Sequence, residues 1–300
     1  MFKDSILDKS VYFSFDRSGY RRHAKKFDPL DVVSFTQKKF FVTGGTSGIG
    51  QSIVNTLREY KANVIFSGRS LKDETYRSDF INMDLNDHQR VLDVADQLES
   101  MDGIVLNAGG MPEKYGESYG YEFQFSSQVL AHFIFIRRLI DNNKLSEGSK
   151  VIWMSSGGMY LVKYDESLIK NAKAKYDKVN FYANAKRAQV ILNEMMAKRL
   201  KDHGICFSVM HPGWVDTTGV RDAIPGFFKF TKNRLRNTEQ GADTAVWLLS
   251  KENNSSGEFW FDRSVQKKII FPWTKNSDAE RTNLYNLCES HYKSLLASKA

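Results

Sequence analysis

Residues 43–50 read TGGTSGIG, with the apolar run KKFFVT (38–43) before them and the amphipathic run GIGQSIVNTLREYK (48–61) after. The first run reads as a strand. The second reads as a helix, with Ile49, Ile53, Val54 and Leu57 on one stripe. In a strand-to-helix turn, Gly44, Gly48 and Gly50 allow a tight bend and a close backbone approach. The start of the helix then offers unpaired N–H groups to a diphosphate. An ordinary glycine-rich turn has the same composition, and it is the flanking strand and helix that favour phosphate binding.

The same alternation continues outward. NVIFSG (63–68), DFINMD (79–84), GIVLNAGG (103–110), KVIWMSS (150–156), ICFSVMHPG (205–213) and GEFWFD (257–262) read as further strands. HQRVLDVADQLES (88–100) and the stretches 119–142, 178–203 and 238–250 read as helices. Continuous Val/Ile/Phe-rich strands separated by helices indicate a parallel sheet buried on both faces. The fold class is therefore α/β, a doubly wound, Rossmann-like parallel sheet. No linker composition or internal repeat divides it. The expected organisation is one domain over 38–275, an N-terminal extension over 1–37 and a C-terminal helical tail over 276–300.

The chain has 300 residues, 41% of them hydrophobic, which suffices for a sizeable core. No run of apolar residues is long enough for a membrane span, and the N-terminus lacks a secretory pattern. The two cysteines, Cys206 and Cys288, form neither a disulfide framework nor a zinc spacing, so a reducing, cytoplasmic setting without a metal is expected. The net charge is +8. Its densest cluster, Arg17, Arg21, Arg22, Lys25 and Lys26, reads as a solvated face. No nucleic-acid-binding pattern accompanies it. Beside Phe2, Ile6, Leu7, Phe13 and Phe15, the same cluster also suits peripheral contact with a membrane surface.

NFYANAKRAQ (180–189) places Tyr182 and Lys186 four residues apart, on one helix face. A phenol titrates near ~10 when unperturbed, and a neighbouring ammonium favours its ionised form. Such a pair can pass a proton to or from a carbonyl or alcohol oxygen.

These segments together resemble the short-chain dehydrogenase/reductase family. The resemblance rests on TGGTSGIG, on NAG at 107–109, on the serine pair 155–156, on Tyr182-x-x-x-Lys186 and on HPGWVDT (211–217). SSGGMY, YANAKRAQ, MHPGWVDTTGVRDAIPGF, RLRNTEQGADT, SGEFWFDR and SGYRRHAKKFDP further resemble the family-member-12-like branch. The resemblance implies a hydride transfer through a nicotinamide cofactor, with Tyr182 as general acid/base. Lys186 would lower the phenol pKa and hold the ribose hydroxyls, and Ser156 would orient the substrate oxygen, with Ser155 the alternative by one residue.

The resemblance implies a fourth catalytic position, an asparagine that shapes a water relay behind the lysine; FSSQVLAHF (125–133) puts Gln128 there, whose extra methylene either slows turnover or leaves it intact through a shifted water. Cofactor contacts are implied for Gly44, Thr46, Ser47, Gly48, Ile49 and Gly50, for Asp84 and Leu85, and for Asn107, Ala108 and Gly109. Pro212, Gly213, Val215 and Thr217 would hold the nicotinamide. In FSGRS (66–70), Arg69 stands where NAD-preferring enzymes place an acid, so NADP is expected, with NAD the alternative.

Met159, Tyr160 and Trp214 would touch substrate. With Val220, Ile224, Pro225, Phe227 and Phe228 nearby, the substrate is expected to be a hydrophobic carbonyl or alcohol. The polar insert LVKYDESLIKNAKAKYDKV (161–179) has the position to cap that pocket. Association into homo-oligomers through the fourth-strand and catalytic helices is a further implication. The competing reading is a catalytically weak, nucleotide-binding regulatory protein on the same fold.

Overall fold

The computed structural model describes residues 11–71, 73–251 and 255–299. Its centre is an eight-stranded sheet in the order β10-β9-β8-β7-β4-β1-β2-β3. The strands are β1 (Lys39–Thr43), β2 (Asn63–Gly68), β3 (Phe80–Asn82), β4 (Gly103–Leu106), β7 (Lys150–Met154), β8 (Cys206–Met210), β9 (Glu258–Phe261) and β10 (Ser264–Gln266). All neighbours are parallel except β9 and β10. A small antiparallel pair, β5 (Glu117–Ser118) and β6 (Tyr121–Glu122), stands apart.

Consecutive residues of one strand, Phe40, Phe41 and Val42, are all buried. That pattern requires cover on both sides of the sheet. The helices Gly48–Glu59 and Thr238–Ser250 pack on one face, and His88–Gln97, Ala131–Asp141 and Lys178–Arg199 on the other. The strand order reverses between β1 and β4, which opens a crevice at their carboxyl ends.

Several boundaries differ from the sequence expectation. The helix expected from 119 begins only at Phe123, because Tyr119 and Gly120 take φ of 52° and 74° and turn the chain into the β5–β6 hairpin. The helix that follows is interrupted by a π-helical turn, Ser126–Leu130, before Ala131–Asp141. Strand β10 has no apolar alternation to announce it. It forms because Asp262 and Arg263, at φ 47° and 58°, make a left-handed two-residue turn after β9. The helix Lys178–Arg199 is followed by a 3-10 turn that ends at Gly204 with φ 66°.

The C-terminal helix, Asp278–Lys299, lies across Ala131–Asp141 and Lys178–Arg199 and buries Leu284, Tyr285, Cys288, Tyr292 and Leu295. Tyr292 donates to Asp141 at 2.6 Å and Lys299 to Asp93 at 2.6 Å. The two helices through which the resemblance implied subunit pairing are thus covered by the chain itself.

Near the N-terminus, the helix Arg17–His23 is capped by Asp16, and Phe15 is buried against His211 and Phe261. Phe15 is therefore a core residue rather than a membrane contact; Phe2, Ile6 and Leu7 lie outside the described residues. Arg17, Arg21, Lys25 and Lys26 are exposed, whereas Arg22 reaches back to the Phe13 carbonyl at 2.7 Å. The insert 161–179 tucks Leu168 and Ala172 against Phe181, Tyr115 and Tyr176. No helix among the described residues is long and apolar enough to cross a membrane.

Three fully buried histidines sit in this frame. His88 shares a 2.8 Å hydrogen bond with His291, His132 lies 3.1 Å from Thr43 Oγ1, and His211 stacks on Phe261. Burial pushes His88 down to about 4 and His132 and His211 down to about 3. The unfolded chain, with histidines near ~6.5, then binds more protons than the folded one, so stability is lost as pH falls below that value. Glu122, pushed up to about 7 by burial, opposes this with one proton. Urea denaturation at pH 7 and pH 5.5 should therefore show a loss of roughly 2–3 kcal/mol per pH unit near the lower value. His88→Asn should reduce that slope.

Candidate active site

The crevice begins at the phosphate loop. A Cβ on Gly50 would lie 2.1 Å from the Gly44 carbonyl oxygen, so this turn closes only around glycine. Gly44, with φ 68°, passes close over Ala108, where a Cβ would lie 2.9 Å from the Ala108 Cα. Asn107 ties the two strand ends together, donating to the Thr43 and Gly44 carbonyls at 3.1 and 3.2 Å. Ser47 opens the helix Gly48–Glu59 without a side-chain cap, which leaves the first-turn N–H groups facing the crevice mouth. This close-walled, N–H-lined cradle fits a dinucleotide diphosphate. Thr46 stands over Gly68 at the end of β2, and Thr217 approaches Gly48 from the opposite wall. Ile49 is half-buried.

Arg69 follows β2 with an exposed side chain that makes no ion pair among the described residues. Leu85 is buried. Asp84 is exposed two residues beyond β3, and one of its oxygens accepts from the Asn86 N–H at 2.9 Å. Ala108 donates its N–H to Thr43 Oγ1 at 3.0 Å, and Gly109 is exposed.

At the other end of the crevice, Tyr182 and Lys186 lie on the helix Lys178–Arg199. Lys186 is buried, donates to the Met154 carbonyl at 2.8 Å and places its Nζ 5.2 Å from the Tyr182 ring centre. Among the described residues no carboxylate pairs with it. Burial brings its pKa down to about 7.

The phenol behaves differently from the sequence expectation. Burial pushes Tyr182 up to about 12, against a smaller opposing effect of its hydrogen bond with Ser156. A lysine that is itself half-deprotonated at neutral pH offers a weaker field than an ordinary ammonium, so desolvation of the phenol dominates.

The serine pair divides. Ser155 Oγ is buried and donates to the Lys186 carbonyl at 2.9 Å, pinning the end of β7 to the helix. Ser156 Oγ faces Tyr182 and accepts only the Gly158 N–H, at 3.3 Å.

Gln128 sits in the π-helical turn. Its amide donates to the Gly110 carbonyl at 2.8 Å, while Oε1 is buried without a partner, 2.6 Å from where a Cβ on Gly109 would be. The longer side chain thus reaches the turn after β4. Its own backbone carbonyl accepts from Gln189 Nε2 at 2.8 Å and lies 3.1 Å from His132 Nδ1. Neither His132 nor Gln189 carries a motif; the only sequence hint is that His132 lies one helical turn beyond Gln128.

Not every expected substrate contact is open. Met159 and Tyr160 are buried, with the Tyr160 hydroxyl bonded to the Lys267 carbonyl at 2.9 Å, so they back the pocket wall. Trp214 is half-buried, edge-on to Phe227 at 5.1 Å, while Val215 is buried and Pro212 and Gly213 are partly exposed. Arg187, also missed in the sequence, lies buried behind this wall and donates to the Lys268 and Thr274 carbonyls at 2.6 and 3.0 Å.

Comparison with known proteins agrees with this fold. The profile of the short chain dehydrogenases matches residues 38–225. The chain is 31% identical to dehydrogenase/reductase SDR family member 12 from Homo sapiens, over 95% of this chain and 98% of that protein. It is 28% identical to retinol dehydrogenase 13 from Mus musculus, over 81% of this chain and 80% of that protein. Among solved structures, an uncharacterised protein from Mycobacterium paratuberculosis shares the fold with a TM-score of 0.69 at 21% identity, covering 88% of this chain and 96% of its own. The chain belongs to the short-chain dehydrogenase/reductase family, and it is an NAD(P)-dependent oxidoreductase acting on CH–OH groups.

Proposed function

We propose that the protein interconverts a hydrophobic carbonyl compound and its alcohol with NADP(H), through Tyr182, Lys186 and Ser156. The observation that carries this reading is the Tyr182 phenol beside Ser156, its ring centre 5.2 Å from the Nζ of a buried lysine one helical turn away. When bound, NADP(H) supplies or accepts the hydride.

In reduction, Tyr182 Oη gives its proton to the carbonyl oxygen; in oxidation it takes the proton back. A phenol held near 12 is protonated at neutral pH, which suits the reductive direction. Ser156, whose Oγ accepts the Gly158 N–H, is placed beside Tyr182 to donate its O–H to the same oxygen and stabilise the charge that develops there. Lys186, held by the Met154 carbonyl, is placed to bind ribose hydroxyls and to return a proton to the phenolate.

The NADP preference rests on Arg69, whose exposed guanidinium, without an ion pair among the described residues, suits a 2′-phosphate. The hydrophobic substrate rests on Trp214, Phe227 and the short helices Thr218–Ala223 and Pro225–Thr231, and it accords with the retinol named for one relative. We take 38–275 as the catalytic domain, with 1–37 and 276–300 as its extensions. We take the setting as cytoplasmic on the cysteine usage of the sequence, two in 300 residues. The second reading, a catalytically weak nucleotide-binding regulator, is favoured by one feature, the unpartnered Gln128 amide oxygen.

Three substitutions test the proposal. Tyr182→Phe should lower turnover across a carbonyl panel by about 10²-fold or more and leave NADPH binding intact; NADPH binding without turnover in the wild type would favour the regulator. Arg69→Glu should raise the Michaelis constant for NADPH far more than that for NADH, and equal changes would remove the NADP assignment. Lys186→Met removes a buried amine that has no carboxylate partner. Its thermal midpoint should rise while activity is lost, the pattern of a residue kept for chemistry at the expense of stability.

A further inference from the structure

One fully buried guanidinium joins three parts of the chain beside the cofactor crevice. Arg236 holds both oxygens of Asp262, Nη1 to Oδ1 at 2.6 Å and Nη2 to Oδ2 at 2.8 Å. Its remaining N–H groups go to main-chain carbonyls. Nε donates to Phe15 at 2.9 Å and to Asp16 at 3.3 Å, Nη2 to Ser14 at 3.0 Å and Nη1 to Pro212 at 3.3 Å. The planar fork of arginine is what allows one side chain to serve the N-terminal segment, the end of β9 and the turn at 212–213 together.

Main-chain bonds follow the same path. Trp214 N–H donates to the Phe15 carbonyl at 2.8 Å, Arg236 N–H to the Trp214 carbonyl at 2.8 Å, and Asp216 N–H to the Arg236 carbonyl at 2.9 Å. Gly213 has φ 79°, and a Cβ there would meet Arg236 Nε at 2.5 Å and the Phe15 carbonyl oxygen at 2.7 Å. The turn is seated directly on the guanidinium, with no room for a side chain between them. Asp262 holds a left-handed φ of 47°, a conformation that costs a non-glycine residue and that its carboxylate contacts keep in place. Phe15 closes the assembly from outside, edge-on to Trp214 at 6.2 Å and tilted over His211 at 4.4 Å.

We propose that Arg236, clamped by Asp262 and roofed by residues 14–16, is the positioning residue for the 212–217 wall of the crevice, and that the N-terminal segment therefore takes part in binding the nicotinamide half of the cofactor. The proposal rests on the reading of residues 212–217 as the nicotinamide side of an NADP(H) site. It assigns the adenosine half, at Arg69 and the phosphate loop, to a part of the crevice that Arg236 does not touch.

That division supplies the test. NADPH and its adenosine fragment 2′,5′-ADP are titrated calorimetrically against the wild type, Arg236→Lys and Phe15→Ala. Arg236→Lys keeps the charge and loses the fork. It should weaken NADPH binding about tenfold or more and leave 2′,5′-ADP within twofold, and Phe15→Ala should move the same ratio in the same direction by less. A general loosening of the fold would weaken both ligands alike, and that result, or unchanged NADPH affinity, overturns the proposal. Should Arg236→Lys fail to fold, the ratio in Phe15→Ala decides. A wild type that binds 2′,5′-ADP as tightly as NADPH would instead overturn the nicotinamide reading of this wall, and the proposal with it.

Discussion

A parallel sheet buried on both faces must return every connection across one side or the other, and all its strands then finish at the same edge. That constraint governs this molecule. Residues far apart in sequence, such as Gly44, Arg69, Asn107, Ser156 and Pro212, each follow the end of a strand, and the strand order brings them to one rim. The reversal between β1 and β4 then opens the rim into a crevice. Asn107 stitches its floor by bonding both carbonyls at the end of β1. Ser155 does the same for the catalytic helix by holding the Lys186 carbonyl.

Burial decides the chemistry within that crevice. Lys186 is buried and Tyr182 half-buried, and each is pushed toward its neutral form. A neutral phenol beside a buried lysine is the arrangement that the proposed proton transfer requires. The same withdrawal is costly to the fold, since no carboxylate among the described residues offsets the lysine. The hydrogen bond to the Met154 carbonyl is its principal polar partner.

The segments at either end of the chain are more than appendages. The C-terminal helix supplies Leu284, Tyr285, Cys288 and Tyr292 to the main core, and its Tyr292 reaches Asp141 on a central helix. At the N-terminus, Phe15 and Asp16 are buried and paired with the arginines of 234–236. In the sequence, both ends lie outside the strand-and-helix alternation of 38–275. In the structure, the charges of Arg17, Arg21 and Lys25 face water while a few aromatic and acidic residues dock.

The sequence by itself determined the sheet, its parallel sense and the chemical character of the rim. Period, strand composition and the glycine spacing are local properties, and they carry the phosphate loop, Asn107, Ser156, Tyr182 and Lys186 with them. Arg69, read from the sequence as the residue that would meet a 2′-phosphate, lies exposed just after β2. Only the tertiary structure decided what depends on contacts across the chain. Such contacts bury Met159 and Tyr160 behind the pocket wall and carry Gln128 to Gly110 by way of a π-helical turn. They also set Ser155 apart from Ser156, form β10 without an apolar pattern, and gather Ser14, Phe15, Pro212 and Asp262 around Arg236. Such a cluster has no period and no motif. Its members are joined by hydrogen bonds spanning up to 222 residues, a separation no local pattern records.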